Sequence, residues 1–297
     1  MRFALNNLVP SIAAMLIVAL FAVPAQAIGL LRDADMEYAL KQIAAPILRS
    51  AGLSPERVKI LVVNDSTLNA FVVSNDAIFI HYGLINKLGN LANSRTITGL
   101  GLALAAAAAA SGNGAAASGI AIGSSTSAKR AFLSHTRAEE ASADQSGIRY
   151  MKSAGASPQG LLDTLNMFAG QETLSVGRQD PYMRSHPLSR DRVRAVAGYV
   201  ASYGTLPENP TAEYWFARLQ GKITAYTRAP NWTLRRLGSE RYADVRALRE
   251  AIAEHRNSRT KKALAAIDRG IAARPKDPFL RDQKGQILLE SRNFGAA

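Results

Sequence analysis

Arg137-Ala-Glu-Glu-Ala-Ser-Ala-Asp-Gln-Ser-Gly147, continuing as Ile148-Arg-Tyr-Met-Lys152, is the stretch on which the reading of this chain turns. Glu140 and Asp144 are four residues apart, so on a helix both carboxylates leave one face, one turn above the other. Alone, such a pair is an ordinary solvated helix face. Its surroundings argue for more. Arg137 precedes Glu140 by three, Ala141 and Ala143 keep the helix slim, and Gly147 allows close packing against a neighbour.

Upstream, Asp33 is placed to cap a helix in which Met36, Leu40, Ile43 and Ile47 form one apolar stripe, with Gly52 just past its end. Pro46 lies inside that pattern and is expected to kink or shorten it. Val58-Lys-Ile-Leu-Val-Val63 reads as a strand. Asn69-Ala-Phe-Val-Val73, a turn at Ser74-Asn75-Asp76, and Ala77-Ile-Phe-Ile-His81 read as a hairpin, giving a small antiparallel sheet. Residues 96–128 carry no charge and are rich in Ala, Gly and Ser. Their length fits a membrane span, whereas the turn at Ser111-Gly-Asn-Gly114 and the weak apolarity of alanine favour two slim helices; a low-complexity loop is the third reading.

Downstream, Ser157-Pro158 restarts a helix with Leu161, Leu162, Leu165 and Phe168 as its stripe. Ser185-His-Pro-Leu-Ser-Arg-Asp191 then opens a basic helix carrying Arg190, Arg192 and Arg194, and His186 by itself reads as a loop histidine. Tyr214-Trp-Phe-Ala-Arg218 begins a helix that leads to a linker at Arg228-Ala-Pro-Asn231. From Asp244 the pattern changes: Ala251 and Gly285, and likewise Ala263 and Ala297, are 34 residues apart, with Ile267 between them and Pro275 closing the first unit. These offsets resemble tetratricopeptide repeats, pairs of antiparallel helices stacked into a groove; a plain helical hairpin is the other reading, since the usual aromatic positions are missing. On the repeat reading, the last unit stops short at Ala297.

At 297 residues the chain can hold one sizeable core and a smaller second unit. A net charge of +13 and a pI near 10.2 raise nucleic acid as a partner. The N-terminus argues against it. Met1-Arg2, the apolar run from Ile12 to Val23 and Ala25-Gln-Ala27 have the order of a secretory signal peptide, so residues 1–27 are expected to be removed and the rest exported; a retained anchor is the alternative. The basic surface then faces solvent, anionic lipid or an acidic partner. There is no cysteine, which excludes disulfides, thiolate metal sites and cysteine nucleophiles together.

Taken together, the Glu140 helix, the hairpin running into Gly83-Leu-Ile85, and Ser185-His-Pro187 ahead of a basic helix resemble the zinc metallopeptidases of the HtpX and CAAX-prenyl-protease family. It looks like the periplasmic, beta-barrel-assembly-enhancing type with a tetratricopeptide tail, and the resemblance runs from about Asp33 to Ala297. It implies that Glu140 is the third zinc ligand, that Asp144 is a carboxylate orienting a ligand histidine, and that His186 stands near the metal. The two remaining ligands and the general base of that family come from a His-Glu-x-x-His helix, and this chain has none. After Gly83-Leu-Ile-Asn-Lys-Leu-Gly-Asn90 it passes directly to Leu91-Ala-Asn-Ser-Arg95, as though a helix of roughly 15–20 residues were missing between 90 and 91. Histidines occur at 81, 135, 186 and 255, and no two are four apart.

The expected fold is therefore α+β: a mainly helical metallopeptidase-like domain over 28–227 with a small antiparallel sheet, then an all-α tail of truncated repeats over 228–297. The expected protein is a periplasmic relative of zinc metalloendopeptidases in outer-membrane protein quality control, inactive because its motif is missing and binding zinc weakly or not at all. The alternative is a noncatalytic scaffold working through the tail. The resemblance implies unfolded or outer-membrane proteins and peptides as partners; membrane-surface contact through 96–128 is a further expectation, and nucleic acid is not expected.

Overall fold

The computed structural model describes residues 29–74, 76–90, 141–167, 190–204 and 209–297. Strand β1 (Leu30–Leu31) precedes helix α1 (Ala34–Ser50), which Asp33 starts by accepting a hydrogen bond from the Met36 amide at 2.9 Å. The expected stripe is the buried one: Met36, Leu40, Ile43 and Ile47 are all less than 5 % exposed. Gly52, at φ +73, ends the helix in the left-handed conformation that a side chain would resist. Pro46 does not shorten α1, which runs on to Ser50. Packing of the stripe against the sheet and a later helix outweighs the one backbone hydrogen bond that proline forfeits.

Strands β2 (Lys59–Val63), β3 (Ala70–Ser74) and β4 (Ala77–His81) complete a four-stranded sheet in the order β1-β2-β4-β3. The hairpin β3–β4 forms as expected, with Phe71 stacked on Phe79 at 5.2 Å. The sheet is not antiparallel throughout, however: β2 and β4 pair in parallel, Ile60 beside Ile78 and Val62 beside Ile80. Those four side chains are 6 % exposed or less, so the two most apolar strands occupy the centre and β3 is left at the edge. Residues 64–69 must then cross to the far side of β4, and this reverses the expected sense of pairing.

Helix α2 (Tyr82–Asn90) follows β4 without a loop. Gly83 makes that junction possible: a Cβ there would lie 2.0 Å from the Ser66 carbonyl oxygen and 2.6 Å from that of Thr67. Because both obstacles are backbone, Gly83→Ala is expected to cost at least about 2 kcal/mol in urea unfolding. A cost within error of zero would show that the 64–67 loop yields freely.

Next come α3, helical over 141–153, then α4 (Gln159–Met167) and α5 (Arg190–Tyr203). Ile148 and Met151 of α3, Leu161 and Leu165 of α4, and Val196 of α5 form a second apolar cluster that meets α1 through Ile47.

Helix α6 (Pro210–Thr227) is the spine of the molecule. Phe216, Leu219 and Ile223 enter the core under the sheet, while Ala225 joins the core of the tail. Two residues, Arg228 and Ala229, separate it from α7 (Pro230–Leu234), after which α8 (Ala243–Arg256), α9 (Thr260–Ala273) and α10 (Pro278–Glu290) build the all-helical tail. Ala251, Ala263, Ala266 and Ile267, each at most 1 % exposed, form the tail core.

A buried ion cluster fastens tail to body. The Arg218 guanidinium, 1 % exposed, donates to Asp35 of α1 at 2.7 Å, to the Tyr214 hydroxyl at 2.9 Å, and to both oxygens of Asp277 at 2.5 and 3.1 Å. Lys222, one turn further along α6, reaches Asp33 at 2.8 Å and Asp35 at 3.5 Å. Beside the cluster Tyr38 meets Trp215 in a T-shaped contact at a centroid distance of 5.0 Å and Phe279 at a tilt at 5.2 Å. The fold is thus α+β, mostly helical with one small mixed sheet and a helical tail. Among the described residues no helix is long and apolar enough to cross a membrane.

Candidate functional site

Asp144 sits on α3, three residues before Gly147 and four before the buried Ile148, and is 5 % exposed. Its face is turned toward α5. There Arg192 donates through Nη2 to Asp144 Oδ1 at 2.9 Å and through Nε to Oδ2, a two-pronged guanidinium–carboxylate pair. The side chains are 9 % and 6 % exposed, so water screens the pair little. The two stretches that the sequence singles out separately, the Glu140–Asp144 segment and the basic helix after His186, are therefore joined by a buried ion pair across 48 residues of chain. Arg192 was legible only as one of three arginines on a basic helix; nothing local distinguishes it from Arg190 or Arg194, which are exposed.

Glu140, His135, His186, the 91–140 segment with its Ala/Gly-rich part, and the signal-like N-terminus lie outside the described residues. Asn90 ends α2 on the near side of the expected gap. The two described histidines are both engaged. His81, 8 % exposed at the end of β4, shares a hydrogen bond with the Thr67 hydroxyl at 2.8 Å and faces Asp65 at 3.7 Å. His255 pairs with Glu290 at 2.7 Å. Among the described residues no three His, Asp or Glu side chains gather into a group able to hold a metal ion.

Burial lowers the His81 pKa, and the nearby Asp65 carboxylate only partly offsets it, so His81 is neutral at pH 7. A base whose pKa falls on folding binds fewer protons in the native state than in the unfolded one. Its contribution is intact above the unfolded value of about 6.5 and is lost as pH falls below it. Asp65, lowered chiefly by the Thr67 amide, acts in a separate and more acidic window. His81→Asn is therefore expected to flatten the decline in urea-unfolding stability between pH 7 and pH 5, and an unchanged slope would place that titration elsewhere.

Comparison with known proteins bears on the same region. Residues 90–200 match the model of Peptidase family M48. The match begins at the junction where the resemblance loses a helix and takes in Glu140, Asp144, His186 and Arg192. It spans little more than a third of the chain and supports the M48 metallopeptidase family, hence a metallopeptidase-related protein. No curated protein matches the chain.

M48 peptidases are generally zinc-dependent, and among the described residues no set of donors for that metal is found. A catalytic zinc keeps three protein ligands and one open position. Here the chain has no histidines spaced four apart, both described histidines are spent on Thr67 and Glu290, and Asp144 is held by Arg192.

Proposed function

We propose that this protein is a noncatalytic relative of the M48 metallopeptidases, exported to the periplasm, which binds unfolded or outer-membrane proteins without cleaving them. The observation that carries this reading is the missing pair of helical histidines, together with the structural engagement of His81 and His255. One glutamate at 140 and one histidine at 186 fall short of three ligands, and with the glutamate of the motif absent no general base stands ready to activate water. The fastening of the tail through Arg218 favours the scaffold role, because a rigidly held helical array presents its binding surface in one orientation. In this reading the tail is a short tetratricopeptide-like array, and the basic surface contributes attraction to acidic or anionic partners.

The test is zinc content by mass spectrometry on residues 28–297, alongside Glu140→Gln and a casein-cleavage assay. No stoichiometric zinc in either protein and no cleavage are expected, with binding to a denatured outer-membrane protein unaffected by a chelator. One zinc per chain that disappears in Glu140→Gln would establish an unrecognised ligand set and overturn the noncatalytic reading.

A further inference from the structure

A trough of about 370 Å³ runs between α1 and the start of β2, lined by Ala34, Tyr38 and Lys41 of α1, Val58 and Ile60 on the strand side, and Phe279 of α10 among others. Ala34, Tyr38 and Lys41 are four and three residues apart, so one stripe of α1 forms a wall. Tyr38 is 41 % exposed even though it touches Trp215 and Phe279, which leaves an aromatic surface open. The carboxylates around the trough are engaged: Glu37 pairs with Arg32 at 2.5 Å and Glu56 with Lys41 at 3.9 Å.

The hydrogen-bond register of the sheet decides which backbone groups face this side. The Lys59 N–H donates to the Asp76 carbonyl at 2.7 Å, so Lys59, Leu61 and Val63 turn their backbone groups toward β4. Ile60 and Val62 turn theirs the other way, toward β1. Val62 finds Leu31 there, in the same ladder in which the Asn64 N–H donates to the Gly29 carbonyl at 2.7 Å. In a longer β1 the partner of Ile60 would be Asp33. Asp33 instead gives its carbonyl to the Glu37 amide at 2.9 Å and starts α1. The N–H and C=O of Ile60 are thus left without a backbone partner among the described residues, on the side where the trough opens.

We propose that an extended peptide segment of a partner protein adds to this edge of β2 as a further strand, exchanging main-chain hydrogen bonds with Ile60 and laying side chains against Tyr38 and Phe279. The backbone pair selects this ligand. A helix spends its own N–H and C=O groups internally, and a small anion answers the Ile60 N–H but not its C=O. An extended chain brings both a donor and an acceptor at the right spacing, and unfolded proteins supply such segments. The edge belongs to the sheet of the body, so this site and any binding by the tail are separate. None of its residues belongs to the expected metal centre, and the site holds whether or not the protein cleaves peptides.

Calorimetric titration of the whole protein with the pentapeptide acetyl-Thr-Val-Tyr-Val-Thr-amide tests this, beside one form N-methylated at both valines and one N-methylated at the tyrosine and both threonines. The parent peptide is expected to bind with Kd below about 1 mM. Because alternate amides of a strand point to opposite sides, one methylated form should bind at least about tenfold more weakly and the other as well as the parent. Hydrogen exchange at the Ile60 amide should slow on saturation while the amides of β3, the opposite edge, are unchanged. Ala34→Phe, which places a ring in the trough from an exposed position, should weaken the parent peptide by a similar factor without moving Tm. No binding, equal effects of the two methylation patterns, protection at β3 in place of Ile60, or undiminished binding by Ala34→Phe overturns the proposal.

Discussion

Arg218→Met lowers the unfolding free energy by about 3–5 kcal/mol, the loss expected when one member of a buried ion cluster is removed and its partners remain. The guanidinium serves α1 through Asp35, α6 through Tyr214 and α10 through Asp277, and the side chains of Arg218, Asp35 and Asp277 are 1 %, 2 % and 6 % exposed. Methionine fills comparable space but leaves the carboxylates of Asp35, Asp277 and, 3.7 Å from the guanidinium, Asp244 in a site that water barely reaches. Asp277 matters twice, because its Oδ1 also accepts from the Phe279 and Leu280 amides at 3.0 and 3.3 Å and so starts α10. The variant should therefore lose the docking of α10 along with global stability. Urea unfolding at pH 7, followed by tryptophan fluorescence and by far-ultraviolet circular dichroism, reports both, because Trp215 lies against Tyr38 and Tyr214. Arg218→Lys should recover only part of the loss, since an ammonium has three donors on one atom and cannot reproduce the four hydrogen bonds that the planar guanidinium spreads over Asp35, Tyr214 and both oxygens of Asp277. A loss under about 1 kcal/mol for Arg218→Met would mean that the cluster is solvated and that the tail is held by apolar contacts alone.

The second large effect is expected at Asp144. Asp144→Leu leaves Arg192 charged and buried against α3, at a cost of about 3 kcal/mol or more, concentrated in the cluster built from α3, α4 and α5. Adding Arg192→Met should restore part of this, because it removes the charge that has lost the Asp144 carboxylate. The resulting double-mutant cycle is expected to give a coupling energy of at least about 1.5 kcal/mol. Hydrogen exchange at the Ile148 and Met151 amides localises the loss: protection should fall there in Asp144→Leu while the sheet amides stay protected. If the single variant proves as stable as the parent, the pair is not what holds α3 to α5. The region then owes its arrangement to Ile148, Met151, Leu161, Leu165 and Val196.

These two ion pairs also mark the boundary between what was readable and what was not. Local signals gave α1 with its Asp33 cap and its Gly52 ending, the β3–β4 hairpin around its turn, the restart of helix after Ser157-Pro158 and the helices of the tail. Each depends on residues within a few positions of one another, so spacing alone carries the information. The histidine spacing belongs to the same class, and with it the absence of a helical ligand pair. Asp144 could be singled out by its distance from Glu140 and by family resemblance, but its partner could not.

Arg192 is 48 residues away and looks like its neighbours; Arg218 meets Asp35 across 183 residues and Asp277 across 59. The parallel pairing of β2 with β4 was hidden for the same reason, since it depends on which strands the core prefers at the centre. By itself, then, the sequence determined the local elements, the α+β class, the spacing of the carboxylates and the lack of cysteine. Only the tertiary structure decided which charges are buried together and how the tail is fastened. A charged side chain looks the same in sequence whether it ends in water or against a counter-ion, and the difference is made by elements that meet only after the chain has folded.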